Sequence, residues 1–338
     1  MPPYSVGYPY VIVNASHPEV GLRYLRRWGG IARFVIVDAG VEVFRRLDLD
    51  DYPEGWEGRV RRVLEVAEEA RRLAPRAEVR PVVPDYPSDY LAELASWRGP
   101  ARELVEGVER LAEAFGDYAA RWFGASRREA VERARRALLR AVACGKCESS
   151  RVPALIAEAT RRREEVRLRI LVQTPSARMN VERTLAAVER ALERWPDVPW
   201  IVPVQGRYRD PASPTRSLEL YAQRIDLSRV DYVAIANLCV ERNAWIIIEA
   251  VRRARKWLAS HRLRPRIHCF GLKLTAAKAL RHDLDSFDSV THTRPRSREL
   301  HELFPWSAKN EAQHILFFID YIDELQRWGI DAPNPVIE

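Results

Sequence analysis

Residues 10–14 read Tyr-Val-Ile-Val-Asn, and residues 34–38 read Phe-Val-Ile-Val-Asp. Each is a short, β-branched, apolar run closed by a polar residue. The apolar residues are consecutive rather than alternating, which predicts strands covered on both faces, as in a parallel sheet. Each run is followed by a stretch of helical periodicity, at 19–28 and 58–73. Working outward, further strand-like runs fall at 79–84, 168–173, 200–205, 232–236, 266–270 and 286–290. Helical patterns follow at 181–194, 217–224, 245–259, 275–281 and 311–327. Eight strands, nearly all followed by a helix, predict an α/β chain folded as a (β/α)8 TIM barrel. A doubly wound open sheet is the rival arrangement.

One segment breaks the rhythm. The first three strands occupy 1–86 and the last five, with a C-terminal helix, 167–338. Between them, 87–166 reads as a helical insertion, with amphipathic patterns at 104–123, 128–142 and 150–165. It follows the C-terminal end of the third strand, which in a barrel is the catalytic face.

The chain has 338 residues, with 55 Lys+Arg against 47 Asp+Glu and a net charge of +8. Only five of the basic residues are lysine, leaving 50 arginines. Hydrophobic residues make up 47%, enough for a sizeable core, so global disorder is excluded. No apolar run is long enough to cross a bilayer, and no signal peptide is read at the N-terminus. Four cysteines do not make a disulfide scaffold, so a cytoplasmic, reducing setting is expected.

The charge is localised. Between 127 and 163, eleven basic residues face four acids, a surplus of +7. Arg127, Arg128, Arg133, Arg135, Arg136 and Arg140 head this run. A solvated helix face, a GC-rich genome or a hot habitat would each explain some arginine. Too few acids are present to pair these arginines, however, so a phosphate-binding patch and a nucleic-acid partner are expected.

The expected strand ends carry polar groups: Asp38 on the second, Asp85 on the third, Gln205-Gly206 on the fifth, Ala236-Asn237-Leu238 on the sixth, His268 on the seventh and Asp288 on the eighth. Any one of these acids alone would be read as a helix cap. At successive strand ends they converge on one mouth. His268 is either a contact to substrate or a satisfied polar group beneath that mouth. His292 and Arg294, just beyond Asp288, either touch a phosphate or hold loop positions with no role. Trp122, Trp200 and Trp245 sit at core spacing.

These segments resemble the tRNA-guanine transglycosylase superfamily. Val204-Gln205-Gly206 resembles its "VQG" segment, and Phe287 through Arg294 its "FDCVLPTR" segment. Asp38-Ala39-Gly40 resembles "DSGG", and Glu182-Arg183-Thr184 an "ERT" match. Pro84-Asp85-Tyr86, Leu238-Cys239 with Arg242, and His268-Cys269-Phe270-Gly271-Leu272-Lys273 look closest to the DNA 7-deazaguanine transglycosylase branch. The resemblance implies exchange of a guanine in nucleic acid for a 7-deazaguanine base. It implies that Asp288 is the nucleophile at C1′ and Asp38 the acid/base carboxylate. Asp85, Gln205 and Gly206 would meet the purine, beside the backbone of the Ala236-Asn237-Leu238 turn.

The chemistry asks for the same residue types. A cation-like sugar is trapped by one carboxylate while a second acid handles protons on the two bases. A purine edge needs donors and acceptors, which Asp and Gln supply together. The base must leave its stack to reach them.

The sequence also departs from the family. Its structural zinc cluster has no counterpart, so no cofactor is expected. Cys144 and Cys147 form a CxxC in the insertion that is a metal site only if further ligands fold in, and otherwise a disulfide or a buried pair. Ala39 and Val41 replace the serine and second glycine of "DSGG". The chain ends without the RNA-binding domain of many archaeal tRNA enzymes, so DNA is expected ahead of tRNA. A tRNA enzyme of queuosine or archaeosine type is the alternative. A catalytically silent binding partner is another, although both aspartates are present. A homodimer is compatible with the helical exterior.

Overall fold

The computed structural model describes residues 2–41, 51–87, 109, 112, 113, 117, 126–132, 177–207, 210–236, 238, 241 and 243–337. The chain runs β1 (Val6–Gly7), β2 (Tyr10–Asn14), α1 (Pro18–Trp28), β3 (Phe34–Asp38), α2 (Gly55–Leu73) and β4 (Glu78–Pro81). It continues with α3 (Ala177–Arg194), β5 (Val202–Val204), α4 (Ser213–Ala222), β6 (Tyr232–Ile235), α5 (Ala244–Ser260), β7 (Arg266–Cys269), α6 (Leu274–Leu280) and β8 (Ser286–Phe287). Then come α7 (Arg298–Leu303), α8 (Glu311–Arg327) and β9 (Val336–Ile337). The expected fourth strand, 168–173, and most of the insertion lie outside the described residues, as do Arg133, Arg135, Arg136, Arg140, Cys144, Cys147, Trp122 and Asn237.

β2, β3 and β4 pair in parallel in that order, and so do β5, β6, β7 and β8. A parallel bridge between Val82 and Ile201 joins the two sets, with Ile201 N–H donating to Pro81 (2.9 Å) and Val83 N–H to Ile201 (3.1 Å). The third and fifth expected strands therefore adjoin directly at this point. The described parallel strands follow chain order throughout, without the reversal that marks a doubly wound sheet. A short antiparallel ribbon of β1 with β9, which the sequence did not suggest, ties the two ends of the described chain together.

The strand pattern explains the layering. Alternate strand residues point to opposite faces. One set, including Val11, Val13, Val35, Val37, Val202, Val233, Ile235 and Ile267, packs in one cluster with Leu25, Val60, Val63, Leu185, Val188, Leu218, Ile247, Val251 and Ala277 of α1 to α6. The six helices thus cover the same face of the sheet. The other set, Ile36, Val82, Ile201, Tyr232 and Ala234, with Ile12, Phe34 and Phe270 against it, buries itself against its own members. Phe34 of β3 and Tyr232 of β6 meet with ring centroids 5.8 Å apart. Adjacent strands are separated by about 4.8 Å, so a flat sheet would hold these strands some three spacings apart. The sheet therefore curls strongly around this inner cluster.

The N-terminal ends of the strands are plugged by charge. The Arg80 guanidinium, nearly buried, reaches Asp231 at 2.6 Å and Glu78 at 2.5 Å. Arg266 of β7 pairs with the same Glu78 at 2.5 Å. The hydrogen bonds of Arg266 and Arg80 hold the Glu78 carboxyl down at about 2. Trp200 is buried, as its spacing suggests, but Trp245 is 61% exposed on the first turn of α5. Apolar spacing on a helix does not tell which flank meets solvent once the neighbouring elements are in place.

Candidate functional site

The expected site residues gather at the C-terminal strand ends in two groups. The first surrounds Asp85. This side chain is 7% exposed, and the Gln205 amide donates to its carboxylate. Burial pushes the Asp85 carboxyl up to about 7, partly offset by a backbone N–H and by the Gln205 bond. The backbone here is held from several sides. Tyr52 O–H donates to the Asp85 carbonyl at 2.7 Å, and Trp56 Nε1–H donates to Pro84 at 2.9 Å. Thr184 accepts from the Tyr86 N–H at 3.0 Å, and Arg183 lies 3.7 Å over the Tyr86 ring. The Glu182-Arg183-Thr184 segment thus clamps the loop that presents Asp85. Gly206 follows Gln205, and a Cβ there would lie 2.9 Å from Pro214 Cγ.

Asp38 ends β3 within electrostatic reach of this group. Burial, and after it the charges of Asp85 and Asp38, holds the Tyr52 phenol well above its ordinary range. The turn beyond Asp38 depends on Gly40, whose φ is +76°. A Cβ at that position would come within 2.2 Å of Ser16 Oγ and 2.6 Å of Asn14 Oδ1. The Arg59 guanidinium, buried from α2, donates to Ser16 Oγ (2.8 Å) and to the Ala39 carbonyl (3.2 Å), and pairs with Glu54 (2.8 Å). A groove of about 470 Å³ opens beside this turn, lined by Ser16, His17, Arg59, Arg61 and Glu65 among others.

The second group surrounds Asp288, just past β8. Its Oδ1 accepts the Gly271 N–H at 2.8 Å and lies 3.4 Å from His268 Nε2. Among the described residues no hydrogen bond reaches Oδ2, and the side chain is 32% exposed. His268 is only 1% exposed, and its Nδ1 sits 2.8 Å from Ser286 Oγ. Ser286 in turn contacts the Tyr232 hydroxyl. His268 is therefore turned toward Asp288 and the inside of the sheet.

Sequence reasoning missed Tyr52, Arg59, Tyr232 and Ser286. Ser286 stands two residues before Asp288, on the same strand face, and that spacing was the available signal. Ala236 and Leu238 are both buried. The Ala236 N–H donates to Val204 at 3.0 Å, and the Leu238 carbonyl accepts from Glu241 at 3.2 Å.

His292 is largely enclosed. It is 8% exposed, stacks on His314 at 5.3 Å and donates through Nδ1–H to the Ser289 carbonyl (2.8 Å). Packing by Phe318 and Tyr321 holds it inward. Arg294 is exposed, with its Nε–H donating to Ser307 Oγ at 3.0 Å. In the insertion, Arg127 pairs with Asp117 at 2.6 Å and with Glu113. The expectation of unpaired arginines therefore fails for Arg127: acids upstream of the counted window supply its partners.

Among the described residues no group of three or more His, Cys, Asp or Glu side chains could hold a metal ion, and Cys269 is a buried free thiol. No described helix is long and apolar enough to cross a membrane. No family model, curated protein or solved structure matches the chain. Fold and site together define a parallel α/β protein with carboxylates, an amide and an imidazole gathered at the C-terminal strand ends.

Proposed function

We propose that the curled sheet closes into a (β/α) barrel of the TIM type, and that its C-terminal mouth exchanges a guanine in nucleic acid for a 7-deazaguanine base. Barrel closure is supported by strands in chain order, helices on one face, and an opposite face that buries itself. The observation that carries the chemistry is Asp288. One carboxylate oxygen is anchored by Gly271, and the other takes no hydrogen bond among the described residues.

In this reading Oδ2 of Asp288 attacks C1′ of the nucleoside. The C1′–N9 bond breaks, its electron pair leaves with guanine, and Asp38 supplies the proton that guanine needs. The incoming 7-deazaguanine gives its N9 proton to Asp38 and displaces Asp288 from C1′. The buried Asp85–Gln205 pair offers both an acceptor and donors to the purine edge. Positive charge from Arg128 onward, with Arg294, would hold the phosphate backbone.

Purified protein should be given labelled 7-deazaguanine bases with duplex DNA, single-stranded DNA and total tRNA. Label is expected in DNA, with a covalent protein–nucleic acid adduct lost in Asp288→Ala. Label entering tRNA alone would overturn the DNA assignment. Full exchange by Asp288→Ala would overturn the covalent step.

A further inference from the structure

Four side chains form a line inside the sheet, from its buried interior to the mouth. Tyr232 on β6 touches Ser286 on β8, Ser286 Oγ lies 2.8 Å from His268 Nδ1 on β7, and His268 Nε2 lies 3.4 Å from Asp288 Oδ1. Strand register explains the alignment. His268 stands opposite Ser286 in the β7–β8 pair, and Ala234 opposite His268 in the β6–β7 pair. The small Ala234 side chain leaves the imidazole room on that face. Phe270 closes the assembly edge-on, 4.4 Å from the His268 ring.

Proton counting gives this line a direction. Ser286 owns one hydroxyl proton and has a neighbour on each side. If Nδ1 carried the imidazole proton, Nε2 would aim a lone pair at the Asp288 carboxylate. His268 is 1% exposed, so on the imidazole side that repulsion has no water to relieve it. The opposite order removes that repulsion. Tyr232, whose phenol burial keeps protonated, donates to Ser286, Ser286 donates to Nδ1, and Nε2–H faces Oδ1. Nε2 makes no hydrogen bond among the described residues; its approach to Oδ1, at 3.4 Å, is a length that a bound substrate can tighten.

We propose that His268 is a positioning residue for Asp288. In this assignment the Tyr232–Ser286 pair sets its tautomer, and its Nε2–H joins the Gly271 N–H in holding Oδ1, so that only Oδ2 is presented for attack. The catalytic part of this assignment rests on the transglycosylase reading. When the ester forms at Oδ2, Oδ1 becomes its carbonyl oxygen and keeps both donors. Departure of the ester then restores the same carboxylate.

The full-length protein labelled with ¹⁵N-histidine gives a readout that needs no activity. The His268 nitrogens are expected to report protonated Nε2 and an unprotonated, hydrogen-bonded Nδ1, with the Nδ1 resonance moving in Ser286→Ala. A protonated Nδ1 in the neutral ring would overturn the relay. In base exchange, His268→Leu should lower kcat on the order of 100-fold at nearly constant KM for the base. His268→Gln, which keeps an N–H near Oδ1, should recover most of that loss. Unchanged kcat in His268→Leu would overturn the positioning role even with the tautomer confirmed. If the tautomer is as expected and wild-type protein performs no exchange, the functional reading fails and the relay stands.

Discussion

Gln205 donates its side-chain amide to the buried carboxylate of Asp85, joining two strand ends 120 residues apart in the chain. The pair is enclosed and polar, so burial raises the Asp85 carboxyl to about 7. The folded protein then holds a proton that the unfolded chain, near 3.8, has already released. Stability from this group is full below about pH 4, falls as pH rises through about 7, and is level above that. The loss is at most about 4 kcal/mol, from roughly three pK units at about 1.4 kcal/mol each. Denaturant unfolding of Asp85→Asn and wild type should show a gap that grows in favour of the variant from pH 4 to pH 8. Parallel pH curves would show that Asp85 ionises as an exposed carboxyl does.

Gly40 turns the chain beyond Asp38 at positive φ, against Ser16 and Asn14. Gly40→Ala is expected to cost about 1–3 kcal/mol from backbone strain alone, and more from the clash. The displaced turn should carry Asp38 with it, so base exchange should fall further than stability accounts for. A variant as stable and active as wild type would show that this turn adapts freely.

Phe34 and Tyr232 touch although β4 and β5 lie between their strands. A double-mutant cycle with Phe34→Ala and Tyr232→Ala should give a coupling of about 0.5–1.5 kcal/mol. Additive losses would place the two rings apart and remove the main contact across the curl.

Arg127 is already paired with Asp117 and Glu113, whereas Arg128 is exposed beside it with no ion pair among the described residues. Nucleic-acid affinity measured against salt should therefore separate them. Arg128→Gln should reduce the magnitude of the log–log slope by about 1, and Arg127→Gln by much less. Equal slopes in both variants and wild type would move the phosphate contacts elsewhere.

The sequence was most legible where local physics dominates. β2 and β3 coincide with the runs at 10–14 and 34–38, because both of their faces had to be apolar. The C-terminal helix coincides with 311–327, and Asn310 caps it through the Gln313 N–H at 2.9 Å. Strands expected at 79–84 and 286–290 came out shorter: past Pro81 only the bridge at Ile201 continues before Asp85, and Asp288 stands just past β8. Asp38, Asp85, Gln205, His268 and Asp288 were all named from strand-end position. Their grouping was not, because it depends on which strand neighbours which.

Sequence alone determined the parallel α/β class, the approximate places of the described strands of the parallel sheet, and the polar residues just beyond them, since periodicity and residue type are properties of a few neighbouring positions. Tertiary structure decided that Val82 meets Ile201, that Arg127 finds acids while Trp245 finds solvent, and that Ser286 stands between Tyr232 and His268. Each of those facts joins residues with no local signal for one another. They are selected by how the curled sheet and its helices bury their apolar faces, and only that packing brings an imidazole from β7 to the carboxylate beyond β8.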